Sequence, residues 1–251
     1  MDAIIGFLNT IFWGYVLIYG LLAVGVFFTL RLGLIQFLHF TEMFRAVIGS
    51  GNWGRNLVRN FYNLGFLHTV CDLNEMALAE LQQQYRGLQV TTNYEVVLAN
   101  PAICGVVIST PSHTHYGLAK KALLAGKHVY VEKPVATSSV HTLELNSLAA
   151  EMEKILMVGH LLLYHPVVTR LRQLVQEGYL GHIQSIQSDR LNTNKFRPDK
   201  SVLWDLAPHD LSMIGYILNK DPHEIVSALG YRSREDGLID DARLDLVYPG
   251  E

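Results

Sequence analysis

The chain has 251 residues and a net charge of −3, and its 20 Lys and Arg residues form no basic run, which argues against nucleic acid as a partner. Hydrophobic residues make up 49% of it, enough for a sizeable core in one large domain or two ordinary ones. The mean hydropathy of +0.18 is high for a soluble enzyme and points to a segment that is not soluble.

That segment comes first. No charged residue stands between Ala3 and Leu30, and Ile11 to Leu30 is an apolar run broken only by glycines and one threonine. At ~1.5 Å per helical residue it reaches roughly 30 Å, the thickness of a bilayer core. Asp2 stands where a signal peptide would carry basic residues, and no small-residue cleavage site comes after the run, so residues 11–30 read as a membrane span. Trp13, Tyr15 and Tyr19 suit one interface, while Arg31 and Arg45 against Asp2 put the C-terminal side in the cytoplasm. Leu32 to Phe44 suits a short interfacial helix.

The pieces Leu8-Asn9-Thr10-Ile11-Phe12-Trp13-Gly14, Phe27-Phe28-Thr29-Leu30-Arg31, Gln36-Phe37 and His39-Phe40 resemble the beginning of a sodium:alanine/glycine symporter. One span cannot assemble a substrate path, so no transport activity is expected. Either the segment anchors the rest of the chain, leaving a membrane-associated protein with a cytoplasmic catalytic part, or two unrelated fragments have been joined and the protein is cytoplasmic. A strand needed by the next domain starts at Ala46 with no linker, which favours the accidental junction.

Val47-Ile48-Gly49-Ser50-Gly51-Asn52-Trp53-Gly54 runs from apolar residues into G-x-G-x-x-G. Helical spacing continues from Arg55 to Leu64, Gly65 closes it, and the apolar run Phe66 to Cys71 ends on Asp72. Strand, tight turn, helix, strand and acid in that order predict a dinucleotide site. Gly49 permits the turn, Gly51 lets the backbone approach a pyrophosphate, and Gly54 lets helix and strand pack closely. Asn52 and Trp53, inside the turn, count with the glycines as cofactor contacts. Asp72, 18 residues past Gly54, stands where a carboxylate bonds the ribose 2′-hydroxyl.

The alternation then continues. Asn74 is a helix cap for a helix to Tyr85, Val90 to Thr92 a strand, Tyr94 to Leu98 a short helix, and Gly105 to Ser109 a buried strand. After the loop Thr110 to His115 come a helix to Leu124, a strand His128 to Val131, a helix Ser138 to Met152 and a strand Ile155 to Val158. Such alternation predicts a doubly wound parallel sheet, α/β in class, with ligands at the carboxyl ends of its strands. Cys71 and Cys104 lie in strand-like runs and read as small buried residues rather than a disulfide, in keeping with a reducing cytosol.

The glycine turn, the Thr110-Pro111 loop with His115, and Glu132-Lys133-Pro134 after the fifth strand resemble the Gfo/Idh/MocA oxidoreductases from about Ala46 onward. The resemblance implies a Rossmann domain holding NAD, with Glu132, Thr110 and His115 along the cofactor and Asp72 favouring NAD over NADP. It also implies that Lys133 orients the substrate hydroxyl and helps lower its pKa. The divisions expected are 1–45 membrane segment, 46–158 dinucleotide domain and 159–251 a partial α+β substrate domain.

In that last part a helix is expected from Pro166 to Glu177, a strand over His182 to Asp189, a polar stretch Asn192 to Lys200, a helix Pro208 to Leu218, and strands at 224–231 and 242–247. Trp204-Asp205-Leu206-Ala207-Pro208-His209-Asp210 places Asp205 and His209 four apart, on one helical face if the helix is continuous. Oxidation of a secondary alcohol needs a base, and histidine suits that near neutrality. Standing alone, the motif reads first as a capping aspartate and a packed histidine. By resemblance His209 is the general acid/base, Asp205 binds a substrate hydroxyl and orients His209, and Lys133 completes the set.

Gly159 to Pro166 and Ser201 to Asp210 further resemble the branch of the family acting on nucleotide-linked sugars, which brings Tyr164, His165 and Asn194 towards a sugar or nucleotide-sugar substrate. A zinc site from His113, His115, His160 or His165 lacks a completing cysteine or carboxylate, so no metal is expected. Family members continue beyond the point where this sequence stops at Glu251, so an open sheet with an unpaired apolar edge is expected. The competing readings are an inactive fragment that binds NAD and a membrane protein whose soluble part only senses or scaffolds. A homo-oligomer is left open.

Overall fold

A computed structural model of the chain describes residues 46–191, 201–232, 237 and 239–249. The expected membrane span and interfacial helix, and the polar stretch with Asn194, lie outside the described residues. Among the described residues no helix is long and apolar enough to cross a membrane. They form two units. The first comprises 46–110, 119–129 and 148–155, and the second 111–118, 130–147 and the described residues from 156 onward.

In the first unit, β1 (Ala46–Ile48) is buried throughout and pairs in parallel with β2 (Thr69–Cys71) on one side and β4 (Gly105–Ile108) on the other. Val47 stands opposite both Val70 and Val107, and all three are fully buried. Strands covered on both faces explain why these runs are continuously apolar rather than alternating. β3 (Gln89–Thr91) extends the ladder beyond β2. With β5 (His128–Val131) and β6 (Leu156–Val158) the strand order is β3-β2-β1-β4-β5-β6, which reverses direction between β1 and β4.

Helices fill the crossovers. Leu57 and Val58 of α1 (Gly54–Asn63) are buried, as are Leu78 and Leu81 of α2 (Glu75–Gln84). Asn74 caps α2 by accepting from the Ala77 N–H at 3.1 Å, and Asn93 caps α3 (Tyr94–Ala99) by accepting from Glu95 at 2.9 Å. α4 (Ser112–Leu124) precedes β5, and α5 (Ser139–Glu151) precedes β6. Cys71, buried, and Cys104, half-buried, are free thiols.

The second unit continues from β6 with a 3-10 turn, Leu161–Tyr164, and α6 (Pro166–Gln176), which is capped by the His165 ring. A one-turn helix α7 (Val202–Asp205) is separated by Leu206 from α8 (Ala207–Leu218), which packs on α6 and on the 3-10 turn. β7 (Glu224–Tyr231) and β8 (Asp241–Val247) pair antiparallel, with a register shift between Ile225 and Ser227. The strand expected over 182–189 does not form. Among the described residues the second sheet is β7 and β8 alone, and residues 182–189 pair with neither of its free edges. The end of that segment is held by side chains instead, through Ser188 and Arg190 to Asp210.

Candidate active site

The glycine turn comes directly after β1. Gly49 has φ of 91°, and a Cβ there would stand 2.9 Å from Thr110 Cγ2 and from the Thr110 nitrogen. At Gly54 a Cβ would overlap the Gly49 carbonyl oxygen and sit 2.9 Å from Ser109 Oγ, which itself donates to that carbonyl at 2.7 Å. Gly51 differs: a Cβ there meets no atom within 4 Å. Two glycines therefore serve the packing of strand, loop and helix, while the third keeps the exposed crest of the turn bare. That bare crest at a helix N-terminus fits a dinucleotide pyrophosphate. Asn52 and Trp53 are exposed beside it, Trp53 at the entry to α1.

Asp72, at the end of β2, is tied to the turn. One carboxylate oxygen accepts from the Ser50 N–H at 2.5 Å and the Ser50 hydroxyl at 2.7 Å, and the other accepts from Asn74 N–H at 2.9 Å. Burial works against its ionisation. The hydrogen bonds from Asn74, Ser50 and Leu73 outweigh that and hold the carboxyl below its ordinary value. The carboxylate thus fixes the shape of the turn. Ser50, unmarked by the glycine pattern, is the residue that links the two.

In the second unit, Lys133 donates to the backbone carbonyl of Asp205 at 2.6 Å, and its ammonium lies 3.4 Å from the Asp205 carboxylate. Both side chains are less than one-fifth exposed, at 16% and 19%. Its neighbours position the loop. Glu132 is buried, with Tyr130 donating to it at 3.2 Å. Pro134 is joined to Lys133 through a cis peptide bond, and the Pro134 carbonyl is 2.7 Å from Nδ1 of His115. His115 is only 1% exposed, so the contact it shows is to the Lys133 loop from beneath.

His209 begins α8 one turn after Asp205. The two do not share a continuous helix, because α7 ends at Asp205 and Leu206 intervenes. Nδ1 of His209 is buried with no hydrogen-bond partner, so that nitrogen is not held by the Asp205 carboxylate. Burial, then the charges of Lys133 and Arg190, pushes the imidazole down to about 4, with Asp210 opposing. Arg190 grips Asp210 in a fork, Nε at 2.5 Å and Nη2 at 3.1 Å, and Ser188 adds a bond at 2.7 Å. This set escaped the sequence reading, because nothing in the spacing of residues 188, 190 and 210 announces it.

The structure gives Tyr164, His165 and Thr110 particular surroundings. Tyr164 is 70% exposed, whereas His165 spends Nδ1 on the Val167 N–H at the start of α6. Thr110 packs on Gly49 in the first unit. Among the described residues no cluster of three His, Cys, Asp or Glu side chains is arranged to hold a metal ion.

Residues 44–160 match the family described as oxidoreductase, NAD-binding Rossmann fold (GFO_IDH_MocA), and residues 168–251 match the GFO/IDH/MocA C-terminal domain. Residues 1–66 match the sodium:alanine symporter family, so the segment before β1 is symporter-like. The UDP-N-acetylglucosamine 3-dehydrogenase of Acidithiobacillus ferrooxidans is 30% identical over 185 residues, covering 73% of this chain and 57% of that protein. Its solved structure superposes with a TM-score of 0.68 at 28% identity, over 80% of this chain and 64% of that one. A D-xylose dehydrogenase of Paenarthrobacter nicotinovorans is 31% identical over 116 residues, 46% of this chain and 30% of its own length. GenD2 from gentamicin A biosynthesis, solved in complex with NAD, shares the fold with a TM-score of 0.69 at 24% identity, over 82% of this chain and 63% of that one. The matched part spans about half, or less, of these two curated relatives.

Proposed function

Residues 44–251 belong to the Gfo/Idh/MocA family of oxidoreductases, and from that premise we propose that the chain is an NAD-dependent dehydrogenase acting on a secondary hydroxyl of a sugar or nucleotide sugar. The observation that carries the reading is the meeting of Lys133 with Asp205, 2.6 Å from ammonium to carbonyl, in the same unit as His209. Those side chains are supplied from far apart in the sequence, and lysines are mostly exposed, whereas Lys133 is under one-fifth exposed beside an aspartate.

The glycine turn and Asp72 are the seat for NAD, and the anionic Asp72 disfavours the 2′-phosphate of NADP by charge. NAD supplies the acceptor for the hydride. Everything else falls to side chains of this protein. The Lys133 ammonium stabilises negative charge developing on the hydroxyl oxygen, and its bond to the Asp205 carbonyl keeps the ammonium aimed. His209 is neutral throughout the physiological range and so is always in the form that accepts a proton. Its weak basicity gives the larger share of the work to Lys133, because a positioned cation costs no reorganisation as charge develops. The narrower nucleotide-sugar reading draws its support from the relatives' named activity and from the exposed Tyr164 ring.

The test is NADH absorbance with the full chain, NAD and UDP-N-acetylglucosamine, D-xylose or myo-inositol. Wild type forms NADH with at least one, and Lys133→Met loses about a hundredfold or more in kcat/KM while NAD affinity stays within about twofold. NAD binding without turnover of any of the three selects the inactive-fragment reading. Sequencing across the Arg45 and Ala46 codons in the source DNA decides whether the fusion to the symporter-like segment is real.

A further inference from the structure

Resting on that reading of Lys133, Asp205 and His209, we propose that His160 is a substrate-positioning residue that holds a second hydroxyl beside the one oxidised, so that the site takes a vicinal diol rather than an isolated alcohol.

The strand ends place it there. Gly159 N–H donates to the Val131 carbonyl at 2.8 Å, so the exit of β6 lies against the exit of β5, and His160 stands just past one as Glu132 and Lys133 stand just past the other. The approach is close: a Cβ on Gly159 would stand 2.6 Å from the Tyr130 hydroxyl and 3.0 Å from Glu132 Oε1. The backbone of His160 is fixed on both sides, its N–H bonded to Val158 at 2.8 Å and its carbonyl to the Leu163 N–H at 3.1 Å. That carbonyl opens the 3-10 turn on which α8, the helix of His209, packs. Lys133, His160 and His209 therefore converge from the end of β5, the end of β6 and the start of α8.

The imidazole has no local task. His165 spends its ring on capping α6, but His160 makes no capping bond to its own turn, and its Nδ1 is buried without a partner. Burial, then the Lys133 charge, lowers its pKa, so the ring is neutral. A neutral imidazole has one donor and one acceptor nitrogen. A buried N–H with no partner is costlier than a bare lone pair, so the proton belongs on Nε2 and Nδ1 stays unprotonated. Nε2–H is then a donor on a ring that feels the Lys133 charge and is felt by His209, and an adjacent hydroxyl oxygen of the substrate is the partner that satisfies it. An analogue lacking that hydroxyl leaves the donor unpaired, which is how such sites discriminate.

The experiment uses the full chain loaded with NAD, with UDP-N-acetylglucosamine and its 4-deoxy analogue as probes and His160→Phe and His160→Gln as variants. Imidazole 15N spectra provide a readout independent of turnover. The expected result is that the His160 nitrogens shift with the diol and not with the deoxy sugar. Where NADH forms, wild type prefers the diol about 10- to 100-fold in kcat/KM, chiefly through KM; His160→Phe loses the preference and His160→Gln regains most of it. NAD affinity stays within about twofold in both variants. The proposal is overturned if the His160 nitrogens ignore the diol, if His160→Phe keeps the preference, or if the phenylalanine variant loses NAD binding in parallel. NADH formation without the His160 response overturns this proposal and leaves the dehydrogenase reading standing, whereas failure to form NADH with UDP-N-acetylglucosamine, D-xylose and myo-inositol alike sinks the dehydrogenase reading and this proposal with it.

Discussion

Gly51→Ala and Gly54→Ala separate the two duties of the turn. At Gly54 the new methyl overlaps the Gly49 carbonyl oxygen and crowds Ser109 Oγ at 2.9 Å, so backbone must move on both sides of the β1–β4 junction. Overpacking of this kind costs about 1–3 kcal/mol or more, and alanine's better helix propensity returns at most about 1 kcal/mol at the first position of α1. At Gly51 the methyl meets nothing within 4 Å, and stability should stay within about 0.5 kcal/mol of wild type. The same methyl occupies the crest where a pyrophosphate would lie, so NAD affinity should fall tenfold or more, about 1.4 kcal/mol. Urea titration gives the first quantity and calorimetric titration with NAD the second. A Gly51→Ala protein that binds NAD like wild type refutes the assignment of the crest. A Gly54→Ala protein of unchanged midpoint refutes the packing argument.

Asp72→Asn should cost stability at pH 7, since bonds from Ser50 and Asn74 to a charged acceptor are worth about 1.5–3 kcal/mol each and an amide keeps only part of that. Because the folded carboxyl is held below 3.8, the wild-type advantage is full above that value and disappears as pH falls through the folded pKa; relative affinity for NADP over NAD should also rise about tenfold in the variant. Gly159→Ala should break the 3.2 Å Tyr130–Glu132 bond and lower the urea midpoint by an amount equivalent to about 1–3 kcal/mol, while Gly178→Ala, with nothing near its Cβ, serves as a strain-only control at φ 75°. His128, His160 and His209 all titrate below their ordinary 6.5 in the folded chain, so the unfolded chain binds more protons in that window. Stability should therefore fall as pH drops from about 6.5 towards 4, and denaturation at pH 7 and pH 5 on His209→Gln should show a smaller difference than on wild type.

The features legible in the sequence are those that one element decides by itself. The glycine turn demands particular residues at particular backbone positions, and the strands around it are short, β-branched and buried on both faces. Both properties are local, and both appear in the structure at 46–54 and 105–108. The expected strand at 182–189 did not form because a strand-like run becomes a strand only by joining a ladder, and this segment takes up neither free edge of the β7–β8 pair. The expectation that Asp205 and His209 share one helical face assumed that the helix runs through Leu206, where it breaks. Ser50 with Asp72, and Arg190 with Asp210, are separated by 22 and 20 residues, and no periodicity carries such pairs. His160 became visible only through the hydrogen bond from Gly159 to Val131, which is a matter of register.

The electrostatics of the second unit make sense as one arrangement. Lys133 and Arg190 are cations close enough to depress His209, and each is matched to an aspartate, Asp205 at 3.4 Å and Asp210 at 2.5 Å. A group of two cations and two anions is neutral overall, yet both imidazoles are shifted down, by burial first and then by Lys133, with Arg190 adding to it and Asp210 opposing at His209. Protons are thereby kept off His209 until about pH 4, and His160 is shifted in the same direction. Had His209 lain against a carboxylate on Nδ1, it would be a stronger base and an imidazolium would be stabilised in place. On the proposed reading, its unpartnered Nδ1 argues for a different division of labour, in which Lys133 makes the hydroxyl acidic, His160 holds the neighbouring oxygen and His209, neutral and weakly basic, accepts the proton.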